Sequence, residues 1–247
     1  MDSTRPVALI TGSARRIGAA IARRLHAQGY DLALHYRDSA SAMQALAHDL
    51  QAARPGSVLT LQADLCEFDR LPELVARTVG RFGRLDGLVN NASSFRATPL
   101  GSITPQDWDD LFASNARAPF FLAQAAAPHL QATAGAIVNL VDIYAERPLA
   151  AHPLYCMAKA ALLMATQSLA LELAPQVRVN AVAPGAILWP EQAGVPAGAQ
   201  AALLARTPLA RTGTVEEIAE AVRWLLVDAT YATGQVIRID GGRLLAG

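Results

Sequence analysis

Lysine is nearly absent from this chain: of 21 basic residues, only Lys159 is not an arginine. Net charge is absent as well, since 21 acidic residues face those 21 basic ones. A protein that grips nucleic acid needs a basic excess to neutralise phosphates, so the balance excludes that class of partner. Cysteine is scarce: Cys66 and Cys156 have neither the density of a secreted disulfide scaffold nor a metal-ligand spacing. Long apolar runs are missing too. Residues 119–130 and 160–171 contain Gln, His, Thr or Ser and stop short of the roughly 18 residues that span a bilayer. No apolar leader occupies the first six residues, so the expected location is cytoplasmic, away from membranes. Charged residues make up only 17% against 52% hydrophobic, which excludes a disordered chain and supplies a sizeable core.

Short apolar runs alternate with longer helical stretches from end to end. Strands are expected at 7–10, 32–36, 58–61, 88–90, 136–140, 177–182 and 235–239. Helices are expected at 16–28, at 39–53 with Ser39 as N-cap, and at 68–82, 115–131, 154–173 and 214–226. Such alternation implies βαβ units: an α/β single-domain Rossmann fold over residues 1–247, a seven-stranded parallel sheet with helices on both faces. Residues 184–208 read as the one long irregular stretch, with four prolines and three glycines. Its centre, about 186–207, is the expected substrate loop.

Thr11-Gly12-Ser13-Ala14-Arg15-Arg16-Ile17-Gly18 falls at the first strand-to-helix turn. Gly12 allows a tight turn, Gly18 lets the helix approach the sheet, and the free helix N–H groups then face a pyrophosphate. Arg16 stands where a dinucleotide fingerprint has its middle glycine. Where an acid would bind the ribose 2′-hydroxyl, the second strand ends in His35-Tyr36-Arg37. Basic groups there favour a 2′-phosphate and hence NADPH, with Asp38 as the opposing charge.

Arginine serves wherever only a positive charge is needed, so a position that keeps lysine points to chemistry beyond a guanidinium. Lys159 follows Tyr155 by four residues, one turn along the same helix face. A neighbouring ammonium favours phenolate, so the pair is expected to lower the tyrosine pKa and to move a proton.

Thr11 to Gly18, Asp64-Leu65, Asn90-Asn91-Ala92, Asn115, Tyr155 with Lys159, Pro184-Gly185 and Asp240-Gly241-Gly242 occur in order along nearly the whole chain. In this the sequence resembles the short-chain dehydrogenase/reductase family. The resemblance implies that Gly12, Arg16, Ile17, Gly18, His35, Tyr36, Arg37, Ser39, Asp64, Leu65, Asn91, Ala92, Ser93, Lys159, Pro184, Gly185 and Ile187 hold the cofactor. It assigns the adenine to Asp64, and to Asn115 the support of a proton relay through Lys159. It also implies a homotetramer built on the helices at 115–131 and 154–173.

One position departs from that family. A serine usually stands 13 residues before the tyrosine and polarises a carbonyl; here the residue is Asp142. A carboxylate opposes charge growing on a carbonyl oxygen but suits protonation of a ring nitrogen. The bland reading of Asp142 is a turn cap. Phe95, just after the fourth strand, suits stacking on a flat ring, with Ser93 beside it and Trp189 on the long loop. Arg16, His35-Tyr36, 91–95, Asp142, Tyr155 and Lys159 together resemble the bacterial pteridine reductases. The implied reaction is NADPH-dependent reduction of a pterin C=N bond, with dihydrofolate as a further substrate. Phe95 and the nicotinamide would sandwich the ring, Asp142 and Tyr155 would supply the proton, and Ser93 and Trp189 would contact the substrate. A carbonyl reductase acting on a 3-oxoacyl or sugar substrate is the alternative, and a non-catalytic NADP-binding regulator a second. His26, His48, His129 and His152 show no ligand spacing and read as surface groups, and Cys156 as a small helix residue.

Overall fold

Val7, Ala8, Leu9 and Ile10 carry no polar side chain and are all fully buried, the pattern of a strand covered on both faces. The computed structural model describes residues 5–187 and 197–246. In chain order its elements are β1 Val7–Ile10, α1 Arg16–Ala27, β2 Asp31–Tyr36, α2 Ala40–Ala53, β3 Val58–Gln62, α3 Arg70–Phe82, β4 Gly87–Asn90 and α4 Pro105–Phe112. They continue with α5 Ala118–Thr133, β5 Ala136–Leu140, α6 Pro153–Glu172, β6 Arg178–Pro184, α7 Ala197–Ala205, α8 Val215–Val227 and β7 Val236–Ile239. All seven strands pair in parallel in one sheet, ordered β3-β2-β1-β4-β5-β6-β7. This is the expected Rossmann-type α/β fold. Strand order reverses between β1 and β4, which opens a crevice at the C-terminal ends of those strands.

Alternation along β1 divides the core in two. Ala8 and Ile10 pack with Leu25 of α1, Leu46 of α2 and Val222 of α8. Val7 and Leu9 face the other way, toward Leu74 and Phe82 of α3 and Leu122 of α5. Each such buried leucine contributes on the order of 2 kcal/mol by leaving water. α6 is held to β5 by two buried bonds: Asn139 donates to Thr166 Oγ1 at 2.9 Å, and Lys159 donates to the Leu140 carbonyl at 2.8 Å. Those bonds set the height of α6 and hence of Tyr155 above the sheet edge.

Several local expectations are corrected. The stretch 184–208 is not irregular throughout, because its alanine-rich segment Ala197–Ala205 forms α7. The helix expected to start at Asn115 starts at Pro105, where Thr104 and Asp107 form a reciprocal capping box. It then runs through a π-helical turn, Ala113–Arg117, into α5. Ser39 occupies the N-cap position of α2, yet its hydroxyl accepts from the Arg15 guanidinium and not from a helix amide. Among the described residues, α6 has the length and composition to cross a membrane, with mean hydropathy 1.3. It lies along the sheet, burying Leu162, Leu169 and Ala170.

Candidate active site

The crevice begins where β1 runs out. Gly12 takes φ +61°, and a Cβ there would stand 2.8 Å from Ala92 Cα. A Cβ on Gly18 would overlap the Gly12 carbonyl and come within 2.7 Å of Asn91 Nδ2. Only glycines let α1 sit this close to the loop, which leaves its first N–H groups facing the groove. Arg16 adopts φ +51°, the left-handed conformation that a middle glycine would take without strain. The Asn91 amide donates to the Thr11 and Gly12 carbonyls, both at 2.9 Å, while Thr11 Oγ1 accepts from the Asn91 and Ala92 N–H groups. Asn91 is thus the brace that ties β4 to the phosphate turn.

His35 needs correction. It is buried, its Nδ1 accepts from the Gly12 N–H at 3.2 Å, and its Nε2 meets the Ala63 carbonyl at 3.0 Å. Both ring nitrogens are engaged and burial lowers its pKa, so His35 is a neutral strut under the loop and not a cation for a phosphate. His35 still lines a cavity of about 420 Å³ there, with Tyr36, Asp38, Ser39, Asp64, Leu65, Ala92 and Ser93, and the cations of that lining are Arg15, Arg16 and Arg37. Arg15 is an addition to the residues expected from the sequence; its guanidinium reaches Ser39 Oγ at 2.6 Å. Asp38 is paired with Arg37 at 2.6 Å, which offsets its charge. Asp64 caps its own turn, accepting from the Cys66 N–H.

Arg16, Ile17, Asn91 and Ser93 also line a second cavity of about 200 Å³, shared with Asp142, Tyr155, Lys159, Pro184, Gly185 and Ile187. The crevice therefore continues from the phosphate turn to Asp142, Tyr155 and Lys159 across the ends of β1, β4, β5 and β6. Gly185 is there because a Cβ would stand 2.7 Å from Asp240 Cα, where the chain's last strand ends. Tyr155 donates its O–H to Asp142 Oδ2 at 2.7 Å. Asp142 Oδ1 accepts from the Tyr144 N–H at 2.9 Å and so also caps the short turn Ile143–Ala145. Cap and site residue are the same group, using different oxygens.

The electrostatics reverse one expectation. Burial, then the adjacent carboxylate, holds the Tyr155 phenol well above the usual tyrosine range. Burial raises Asp142 and pushes Lys159 down to about 8. Lys159 does not bring the phenol down because its Nζ lies 5.9 Å from the Tyr155 ring centre and bonds the Leu140 carbonyl. The Asp142 carboxyl is much nearer. Burial and that carboxyl together disfavour the phenolate.

Other expected residues are placed differently. Asn115 is fully buried in the π-helical turn, where its amide donates to the Ser94 and Leu111 carbonyls. Among the described residues no direct hydrogen bond joins it to Lys159. Phe95 is 55% exposed; its ring lies flat on His152 at 4.7 Å and edge-on to Tyr155 at 4.8 Å. One face is thereby taken by His152, so the residue read as a surface group belongs to the rim of the site. His26, read the same way, is buried against Ser57. Trp189 lies outside the described residues. No group of three or more metal-binding side chains occurs among the described residues.

A crevice with a helix end at one extreme and a proton-holding pair at the other defines an oxidoreductase that works with a bound dinucleotide. A family model described as enoyl-(acyl carrier protein) reductase matches residues 12–243, and the chain belongs to the short-chain dehydrogenase/reductase family. It is 40% identical to pteridine reductase 1 of Leishmania tarentolae, covering 97% of this chain and 96% of that one. It is 39% identical to a ketoacyl reductase named for the granaticin polyketide synthase of Streptomyces violaceoruber, over 96% and 95% of the two chains. Identity to 3-oxoacyl-[acyl-carrier-protein] reductase of Staphylococcus aureus is 35%, over 95% and 96%. The chain is thus a reductase of this family, with a nicotinamide dinucleotide as its cofactor class.

Proposed function

We propose that the chain reduces a pterin with NADPH, taking a dihydropteridine to its tetrahydro form at a ring C=N bond. The observation that carries this reading is the hydrogen bond from Tyr155 to Asp142. An alkoxide forming on a ketone would leave its charge beside Asp142, which opposes it once its own proton is gone, whereas a ring nitrogen that takes that proton ends neutral. A ring nitrogen needs a proton, and both groups here have their proton affinity raised by burial. When bound in the crevice, NADPH would supply the hydride. Asp142 and Tyr155 hold the proton that the ring nitrogen takes, so carbon gains the hydride and nitrogen the proton. Lys159 shares their cavity and offsets the charge that Asp142 carries after giving up its proton. Phe95 and Ser93 border the ring's entry, and dihydrofolate fits the same chemistry. Preference for NADPH over NADH is supported by Arg15, Arg16, Arg37 and Ser39 around the outer end of the groove, with Asp38 already paired. Two unpaired cysteines agree with a cytoplasmic setting.

Carbonyl reduction is the second reading, favoured by the ketoacyl reductases among the relatives. One panel separates them: kcat/KM for dihydropterins, dihydrofolate and 3-oxoacyl thioesters, each with NADPH and NADH, on wild type and Asp142→Ser. Pterin turnover with NADPH, falling by about 100-fold or more in the variant, is the expected result. Faster thioester turnover, or pterin turnover indifferent to Asp142→Ser, overturns the proposal. Absence of NADPH oxidation with every substrate points to a non-catalytic NADP-binding protein.

A further inference from the structure

Most arginines of this chain sit against a carboxylate, for example Arg24 on Glu220 and Arg84 on Asp86. A third cavity, of about 370 Å³, breaks that habit. Arg147, Arg206 and Arg243 line it, with Tyr144, Leu149 and Leu203, and no acidic side chain does so among the described residues. Arg147 enters none of the ion pairs among the described residues, although the preceding Glu146 is paired with Arg238. Arg243 donates to a neutral partner, the Tyr144 hydroxyl, at 2.8 Å. The Arg147 and Arg243 guanidiniums share this hollow with no carboxylate lining it among the described residues, and an anion between them gains paired N–H donors.

Position says what carries the anion. Tyr144 forms one wall of the cavity, and its own N–H bonds Asp142 Oδ1. The pocket is therefore next to the acid of the active site, away from the nucleotide groove. Between the guanidiniums its lining is apolar, with Ile143, Pro148, Leu149 and Leu203, which suits a hydrocarbon or aryl linker.

We infer that this pocket receives the anionic end, carboxylate or phosphate, of a tail carried by the substrate, and that Arg147 and Arg243 make the enzyme prefer substrates with such a tail. The tail's attachment to a pterin rests on the function proposed above; the anion site does not. The test measures kcat/KM with NADPH for a dihydropterin with a neutral tail, one ending in glutamate and one ending in phosphate. Wild type, Arg147→Gln, Arg147→Lys and Arg243→Gln are compared. Wild type is expected to favour at least one anionic substrate over the neutral one by about tenfold. Arg147→Gln and Arg243→Gln should pull that ratio toward one through KM, and Arg147→Lys should restore part of it. The anion favoured identifies the tail. Calorimetric titration of wild type and Arg147→Gln with p-aminobenzoylglutamate and with inorganic phosphate gives a readout independent of turnover. A wild-type ratio near one, or a ratio that neither glutamine variant changes, overturns the inference while leaving pterin reduction standing. If no pterin turns over, probe binding that Arg147→Gln abolishes upholds the pocket and fails only the pterin reading. Absent probe binding then overturns both.

Discussion

Lys159 is 2% exposed, and a cation that far from water gives up its proton readily. Its pKa of about 8 in the fold lies below the ordinary 10.5. Between those values the unfolded chain binds more protons, so folding stability rises with pH there. The thermal midpoint of wild type without cofactor is expected to climb relative to Lys159→Met between about pH 8 and 10.5. A difference that stays flat or falls contradicts the lowered pKa of the buried Lys159. The same residue marks how far single side chains were legible. Its uniqueness, its spacing from Tyr155 and the odd Asp142 were all visible in the order of residues. The direction of the Tyr155 shift was not, because it depends on a carboxyl oxygen 2.7 Å away and on burial. His152 was missed for a similar reason: its stacking on Phe95 joins two separate segments. Arg15 has a local signal, as one of two adjacent arginines in the phosphate turn.

At the level of elements, the junction of β1 with α1 does most to build the site. Its tightness comes from Gly18, whose missing Cβ admits the Gly12 carbonyl and Asn91. Gly18→Ala must push one of these aside, at a cost of about 1–3 kcal/mol. It is expected to lower the urea midpoint and to weaken NADPH binding in a fluorescence titration. Gly80→Ala is the control, since nothing lies within 4 Å of a Cβ there; a helix-interior alanine should hold or raise stability by about 0.5–1 kcal/mol. Equal behaviour of the two variants contradicts the close packing. The strands were legible almost to the residue, because short, fully buried apolar runs admit little else. Helix starts were less so. The capping box at Thr104 was written in the sequence, but the π-helical turn that continues α4 into α5 has no periodicity to announce it.

For the whole molecule, the outer sides of α5 and α6 pose the open problem. Phe120 is 38% exposed, Met164 60% and Leu171 82%. Helices apolar on both sides are ordinarily covered on both, and we propose that the homotetramer implied by the family resemblance is that cover. Wild type is expected to run as a tetramer by light scattering, and Met164→Glu with Leu171→Asp to run as a smaller species. A wild-type monomer contradicts this arrangement.

Residue order by itself determined the parallel sheet, its helices, the glycine turn and the identity of the Asp142, Tyr155 and Lys159 set. Hydrophobic periodicity and glycine geometry are local properties, read a few residues at a time. Only the tertiary structure decided that His35 is a strut under the phosphate turn, that Tyr155 bonds Asp142 and not Lys159, and that Arg147 and Arg243 share a hollow beside Asp142. Charge, burial and hydrogen-bond partners come from segments far apart in the chain, and they exist only once those segments meet.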